Sequence, residues 1–206
     1  MGAGLFVRTF INLQRVDPGF NARNLLLFDI QPGSLGYNVE KLAQLYQQMA
    51  ERLEAVPGVQ KVTFSNNALL AQGASLANIY LSGALTAAPD AEGRIKSNGR
   101  SCINEVRENF LEAMEIPLLA GRTLNAQDDQ RVPRVAVVNQ TFAKRYFPNE
   151  NPIGKRFAFN PQKPDEFEIV GLVKDAKYTS QREEIPPTAY LSWRQNPRGM
   201  GGATVG

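Results

Sequence analysis

The sequence predicts an α+β fold, and two observations lead to this prediction. The first is a strand–helix–strand order near the start, with an apolar strand at 24–31, an amphipathic helix at 39–56 and an alternating strand at 59–65. The second is a strand-rich stretch at 76–193, in which short helices occur in mixed order with the strands. A doubly wound sheet would alternate strands and helices regularly, so the mixed order favours α+β.

The first helix has the clearest pattern in the chain, because its apolar residues recur every three or four positions and give it one apolar face. These residues are Val39, Leu42, Leu45, Tyr46, Met49, Leu53 and Val56. Asn38 can cap its start, and Pro57-Gly58 can end it. With a strand on either side it predicts a βαβ or split-βαβ unit, for which a right-handed crossover is the default.

The later elements are shorter. Alternation predicts strands, and apolar spacing predicts two short helices, between loops that are rich in glycine, proline and small polar residues. The strands are 77–82, 101–106, 132–139, 156–160, 166–174 and 188–193; the helices are 108–114 and 141–146; the loops are 66–74 and 84–99.

Composition indicates a folded chain whose surface charge is mixed. The 206 residues are 43% hydrophobic and 21% charged, which is typical of a chain that buries a core. The net charge of +3 is spread among acidic residues, without the basic stripe that a nucleic-acid binder gathers on one face. We therefore expect no nucleic-acid partner.

Two scarcities exclude much catalytic chemistry. The chain has no histidine and one cysteine, so it lacks the base of a Ser-His-Asp or Cys-His relay and the ligands of histidine-rich or Cys₄ metal sites. Cys102 lies in an apolar-alternating run, where a buried small residue is expected rather than a reactive thiol. We expect no metal, no cofactor and no catalytic residue.

Carboxylates are the remaining route to acid–base chemistry. The adjacent pairs Asp128-Asp129 and Glu183-Glu184 are predicted to be solvated charges, since neighbouring side chains point apart. A cofactor-free hydrolase that uses these four carboxylates is one interpretation that stays open. Alternation sends Glu166 and Glu168 to the wet face of their strand. Asp29 is the one acidic residue in an apolar run, and an edge or capping role explains it better than a raised pKa.

Glycine-rich phosphate sites are not supported. Gly33-Ser34-Leu35-Gly36 lacks the third glycine of a dinucleotide loop, and Gly154-Lys155 precedes a strand where a P-loop needs a helix. Asn139-Gln140-Thr141 matches the N-glycosylation triplet, but Asn139 is better placed to cap the next helix. Tyr178, Tyr190 and Trp193 could line a binding face, although a core or interface role is expected.

No segment has the roughly 20 apolar residues of a spanning helix. The opening residues at 5–13 fit an amphipathic helix or its remnant, and the glycine-rich end at 198–206 looks like a cut.

Five segments carry a resemblance to a known family. They are GAGLFVRTFINLQRVDPGFNARNLL, LYQQMAERLEAVPGVQKVTFSNNALL, NFLEAMEIPLLAGRTL, VAVVNQTFAKRYFPNENPIGKRF and EIVGLVKDAKYTSQREEIPPTAYL. In this order, along essentially the whole chain, they resemble the periplasmic core domain of MacB-like ABC transporter permeases. The likeness is to the large FtsX-like permeases of acidobacterial type that lack a fused ATPase. The third segment resembles that family's short helix followed by an apolar turn.

The resemblance implies a division into lobes. Residues 1–20 would be a membrane-proximal helix remnant, 21–75 an incomplete Porter-like α/β lobe with a split βαβ unit, 76–193 an inserted strand-rich, Sabre-like lobe, and 194–206 a linker with a truncated end. The family's motif positions are interpreted as turns and caps. They are Pro57, Gly58, Asn139, Pro148, Pro152, Gly154 and Gly171.

The resemblance also implies a function without chemistry. The domain would lie on the periplasmic side of the bacterial inner membrane in a permease dimer, bind no cofactor, and transmit motion driven by a separate cytoplasmic ATPase to a periplasmic substrate or partner. The alternative is a stand-alone periplasmic ligand-binding or sensor module that uses the cleft between the lobes.

Overall fold

The computed structural model describes residues 25–30, 39–67, 75–82, 95–163, 165–176, 184–196 and 203–205, which form an α+β fold. Its strands are β1 (Phe28–Ile30), β2 (Phe64–Ser65), β3 (Leu76–Leu81), β4 (Gly99–Val106), β5 (Leu118–Gly121), β6 (Val135–Asn139), β7 (Arg156–Ala158), β8 (Phe167–Val173), β9 (Thr188–Ser192) and β10 (Ala203–Val205). Its helices are α1 (Val39–Glu54), α2 (Phe110–Ala113) and α3 (Gln140–Tyr146), and a 3-10 turn spans Trp193–Gln195.

The first two strands form a split β-α-β arrangement. β10 pairs antiparallel with β1 on one side and with β2 on the other, so β1 and β2 run parallel with one strand between them. α1, which its apolar periodicity predicts, connects them in sequence. Its buried face, Leu42, Tyr46 and Ala50, packs with Phe64 and Trp193. This small core holds the helix against the sheet.

Six of the later strands close into a ring. The order β4-β3-β7-β8-β6-β9 returns to β4, because β9 pairs in parallel with β4 from Cys102–Thr188 to Val106–Ser192. β6 and β8 are also parallel, and the other neighbours in the ring are antiparallel. A closed sheet removes the exposed edges that would invite pairing with other chains.

The interior of this strand ring is apolar. Side chains of alternating residues fill it, and α3 covers one end with Phe142, Tyr146 and Phe147. At that end, the Ser101 hydroxyl donates to the Tyr146 hydroxyl oxygen at 2.9 Å. The strand residues of this core are Ile79, Ile103, Ala136, Val138, Phe157, Phe167, Ile169, Ala189 and Leu191. A second core on the outer face packs α2 against β6, β8 and β9.

Two strands lie where the sequence predicts no strand. The apolar turn expected after α2 is the strand β5, which pairs with β8. The segment predicted as a linker at 194–206 contains a further strand, β10, at residues 203–205. Both are short, and a strand this short is stabilised by a partner distant in sequence rather than by its own propensity.

The motif position of Gly171 suggested a turn residue, but Gly171 lies inside β8. A Cβ atom there would stand 2.1 Å from the Arg122 carbonyl oxygen, and one at Gly121 would stand 2.2 Å from the Val170 carbonyl oxygen. The two backbones thus approach too closely for any side chain. By contrast, Gly58 and Gly154 have positive φ angles of 93° and 82° and lie in turns, as predicted.

The predicted lobe boundaries stay a prediction. The helix remnant at 1–20, the cap at Asn38 and the Gly33–Gly36 loop lie outside the described residues. Within the described ranges, no helix combines the length and apolarity that crossing a bilayer requires.

Candidate functional site: the junction and the mouth pocket

We use "the junction" for the contacts that residues 54–67 make with residues 103–109 and 193–196. Its backbone connection is continuous with the sheet, because Ser65 of β2 pairs with Val106 of β4. The Arg107 N–H donates to the Phe64 carbonyl at 3.0 Å, and the Asn66 N–H donates to the Glu105 carbonyl at 2.9 Å. β4 therefore belongs to the strand ring and to the sheet of β1, β10 and β2 at the same time.

Arg107 is the main side-chain contact of the junction. Its guanidinium donates to the Glu54 carboxylate at 2.6 Å and to the Val62 carbonyl at 2.7 Å, with only 11% of the side chain exposed. Asn109 donates to the same Val62 carbonyl at 3.0 Å. These bonds connect the end of α1 and the approach to β2 with the end of β4.

Glu108 fixes the other side of the junction. Its carboxylate accepts from the Trp193 indole N–H at 3.1 Å and from the Arg194 guanidinium at 3.0 Å. Burial would raise the pKa of Glu108, but these hydrogen bonds and one from the backbone together lower it below its ordinary value. Trp193 in turn meets Phe64 edge to face, with ring centroids 5.2 Å apart.

A pocket of about 370 Å³ opens at the end of the strand ring opposite α3, next to the junction. We call it the mouth pocket. Its apolar wall includes Leu76, Ile103, Phe159 and Phe167, and its polar wall includes Glu105, Arg134, Asn66 and Asn196. Ser101, at the α3 end of β4, precedes Glu105 by four residues, which is about 13 Å along an extended strand.

Glu105 is the most buried charged residue of the mouth pocket, with 5% exposure. Its carboxylate accepts hydrogen bonds from the Asn66 amide at 3.3 Å and from the Asn196 amide. Burial raises the pKa of Glu105, and the Asn196 hydrogen bond and the charge of Arg134 offset this only in part. Asp29 was the one acidic residue singled out in an apolar run, and the buried position of Glu105 was not predicted.

Arg134 stands at the rim of the same pocket. Its guanidinium donates to Glu166 at 2.6 Å and lies over the Phe167 ring, 5.6 Å from the centroid. Glu166 is therefore the ion-pair partner of Arg134. Glu168 of β8 pairs with Arg156. It lies on the wetter face of the strand together with Glu166, which directly precedes β8, as alternation predicts.

The adjacent carboxylates predicted as solvated charges differ from each other. Asp128 is 3% exposed, and its oxygens accept from both terminal nitrogens of Arg122 at 2.8 Å, so the prediction is wrong for it. This pairing raises the pKa of Arg122. Asp129 binds the exposed Arg131, which lowers the pKa of Asp129. Glu184 is exposed, and Glu183 lies outside the described residues.

The remaining candidates that the structure describes lie in the core or cap a helix. Cys102 is buried, which raises the pKa of its thiol. Tyr190 and Trp193 are core residues, as expected, and Tyr178 lies outside the described residues. Asn139 caps α3 by accepting the Phe142 N–H at 2.9 Å. Among the described residues, no three His, Cys, Asp or Glu side chains gather in a way that could hold a metal ion.

Sequence reasoning missed Glu105 as a site residue, although a signal for it was present. In the predicted strand at 101–106, alternation places Glu105 on the same face as Ile103, which is the ring interior. A charged residue at an interior position of a strand indicates an opening, a partner or a function.

Comparison with known proteins gives a consistent result. The family model described as the MacB-like periplasmic core domain matches residues 11–204. Two curated relatives are macrolide export ATP-binding/permease proteins MacB: one from Marinobacter nauticus is 30% identical over 46% of this chain, and one from Aggregatibacter actinomycetemcomitans is 33% identical over 34%. The alignments span only 15% and 10% of those relatives' lengths.

Two solved structures share the fold. The periplasmic region of MacB from Actinobacillus actinomycetemcomitans has a TM-score of 0.52 at 21% identity, over 77% of this chain and 63% of that one. The extracellular domain of the ABC-type transporter YknZ from Gram-positive bacteria has a TM-score of 0.51 at 14% identity, over 78% and 71% of the two chains.

Proposed function

The chain belongs to the family of MacB-like periplasmic core domains, which are periplasmic domains of ABC-type transporter permeases, and we propose that it transmits ATP-driven conformational change to a periplasmic substrate or partner. In this proposal the domain is held on the periplasmic side of the inner membrane in a permease dimer. A separate cytoplasmic ATPase drives it, and the domain itself catalyses no reaction.

The observation that carries the proposal is the junction. β4 is shared between the strand ring and the sheet beneath α1. Directly after β4, Arg107 binds Glu54 of α1, and Glu108 binds Trp193, which directly follows β9. Charge-assisted hydrogen bonds with little exposure are stronger than surface pairs. We therefore expect α1 and the strand ring to move together as one rigid body.

A test of the proposal uses the full-length permease with its ATPase in lipid nanodiscs. Glu51 on α1 and Lys163 after β7 are exposed, so cysteines at these positions can carry spin labels while Cys102 stays buried. We expect the distance between the two Lys163→Cys labels of the dimer to change on ATP binding. The distance between positions 51 and 163 within one domain should stay constant. An unchanged distance between the two copies would overturn the proposal, as would a full-length gene without membrane-spanning segments.

The junction itself is tested by Arg107→Ala. We expect a broader 51-to-163 distance distribution and a smaller ATP-dependent shift between copies, with ATP hydrolysis retained. Lys61→Ala is the matched control, because the Lys61–Glu112 pair also joins the two sides but is 48% and 73% exposed. It should leave both distances unchanged.

The stand-alone ligand-binding module remains a second candidate, and the mouth pocket is the feature that favours it. A labelled permease that moves with ATP would exclude it, whereas a folded monomer encoded without a membrane anchor would favour it.

A further inference from the structure

The buried carboxylate of Glu105 lacks a cationic partner in the described part of the chain. None of the ion pairs there includes it; the groups that donate to it are the neutral amides of Asn66 and Asn196. A buried charge without a counter-ion is costly, because hydrogen bonds from neutral groups replace only part of its hydration. The site therefore attracts a cation that could enter from the pocket.

Arg134, the nearest cationic side chain of the pocket, cannot fill this role in the observed geometry. Glu166 holds its guanidinium at 2.6 Å, and the Phe167 ring lies beneath it. Its charge acts on Glu105 only as a weaker, longer-range attraction. Because Glu166 offsets the charge of Arg134, the described residues of the pocket balance the negative charge of Glu105 only in part.

The rest of the pocket wall is apolar and aromatic. Phe159 and Phe167 lie 4.8 Å apart, ring centroid to ring centroid, and Leu76 stands at the opening with 50% exposure. The volume of about 370 Å³ falls at the small end of the range for ligand pockets. One acidic group beside aromatic walls fits a ligand with one positive end and a compact apolar body.

We propose that the mouth pocket binds a small organic ammonium ion, with the ammonium hydrogen-bonded to Glu105 and an apolar group packed on Phe159 and Phe167. Such an ammonium has two sources, a free amine or the amino terminus of a peptide whose first residue is apolar. The inference rests on the pocket alone and does not depend on transmission of motion through the junction.

The test is a titration of the isotope-labelled 206-residue chain, followed by NMR chemical shifts. The probe is phenethylammonium, and the matched probes are phenethyl alcohol, which is neutral, and hydrocinnamate, which is anionic. We expect saturable shifts at Glu105, Phe159 and Phe167 with the amine. Binding of the alcohol should be weaker by about tenfold or more, since a charge-assisted hydrogen bond is lost. Equal binding of amine and alcohol, or no saturation by the amine, overturns the proposal.

The variant Glu105→Gln keeps the shape of the side chain and removes its charge. We expect it to weaken phenethylammonium binding by about tenfold and to leave phenethyl alcohol binding unchanged. Glu150→Gln is the control, because Glu150 is exposed and paired with Lys155; it should change neither. Retained amine affinity in a folded Glu105→Gln chain overturns the proposal.

A second variant guards against misfolding of Glu105→Gln. Leu76→Arg places a cation at the exposed rim, where it should weaken the amine more than the alcohol; equal weakening overturns the proposal. Peptides that begin with phenylalanine, with a free or an acetylated amino terminus, separate the two sources. Binding of the free peptide at least as tightly as phenethylammonium assigns the peptide, and weaker binding assigns the amine.

Discussion

The side-chain oxygen of Asn139 accepts a hydrogen bond from the backbone N–H of Thr188, 49 residues further along the chain, at 2.9 Å. The same oxygen accepts the Phe142 N–H at 2.9 Å, and the Asn139 amide donates to the Pro186 carbonyl at 3.0 Å. One buried side chain thus caps α3 and fixes the start of β9. It joins the end of the strand ring that α3 covers to the strand that closes the ring.

We expect Asn139→Ala to lower the free energy of unfolding by about 3 kcal/mol, because it removes a helix cap and leaves the buried Thr188 N–H without a partner. Asn139→Asp keeps both accepted hydrogen bonds and should lose less. Urea unfolding followed by the fluorescence of Trp193, the single tryptophan, measures the change. In the control Asn151→Ala, an exposed turn bond to Ile153 is lost; about 0.5 kcal/mol is expected. Equal losses in the two alanine variants would contradict the buried role.

Asp128→Asn should destabilise the chain by about 2 kcal/mol, because the buried carboxylate accepts from Arg122 and from the Asn125 N–H. The neighbouring Asp129→Asn is the matched control and should lose less, since its partner Arg131 is 87% exposed. Unfolding midpoints in urea distinguish the two. A similar loss at both positions would contradict the expectation that the buried hydrogen bonds of Asp128 stabilise the fold more than the exposed pair of Asp129.

Gly171→Ala should cost about 2–3 kcal/mol, because its methyl group would overlap the Arg122 carbonyl and β5 would have to move away from β8. Gly154→Ala is the control. It also adds a methyl group, at a positive φ of 82° but with nothing within 4 Å of the new atom, so backbone strain of about 1 kcal/mol is expected alone. Hydrogen exchange should show faster opening of residues 118–121 in Gly171→Ala only; protection of β5 that stays unchanged would contradict the close approach.

The pH dependence of stability should have one component from Glu105. Burial raises its pKa in the folded state above the unfolded value of 4.5, so the native state binds this proton more tightly. Its contribution to stability is present below pH 4.5 and is lost as the pH rises through the raised pKa. Glu105→Gln does not titrate, so its stability relative to the natural chain should rise over that window. Urea unfolding between about pH 4 and about pH 8 measures this difference.

Glu108 provides the control of opposite sign. Its folded pKa is lowered below 4.5, so its contribution is present above that pH and is lost as the pH falls through the folded value. Glu108→Gln should therefore differ from the natural chain in pH dependence on the acid side. A Glu105→Gln variant with the same pH profile as the natural chain would contradict the raised pKa.

The local patterns of the sequence predicted the elements that depend on near neighbours. Apolar residues at helical spacing predicted α1, and the Asn139 cap follows from its place between a strand and a helix. The absence of histidine and the single cysteine limit the available chemistry through composition alone. The helix and the cap depend on residues within a few positions of each other, and for such residues spacing alone fixes which side chains meet.

Contacts between distant residues were decided by the tertiary structure. Asp128 is buried against Arg122. The short strand β5 pairs with β8, and the short strand β10 pairs with β1 and β2. Glu105 became a pocket residue only when β9 closed the ring beside β4 and Asn196 reached its carboxylate, 91 residues along the chain. Alternation chooses the face of a strand, but only the pairing of strands decides whether that face meets water, a core or an opening.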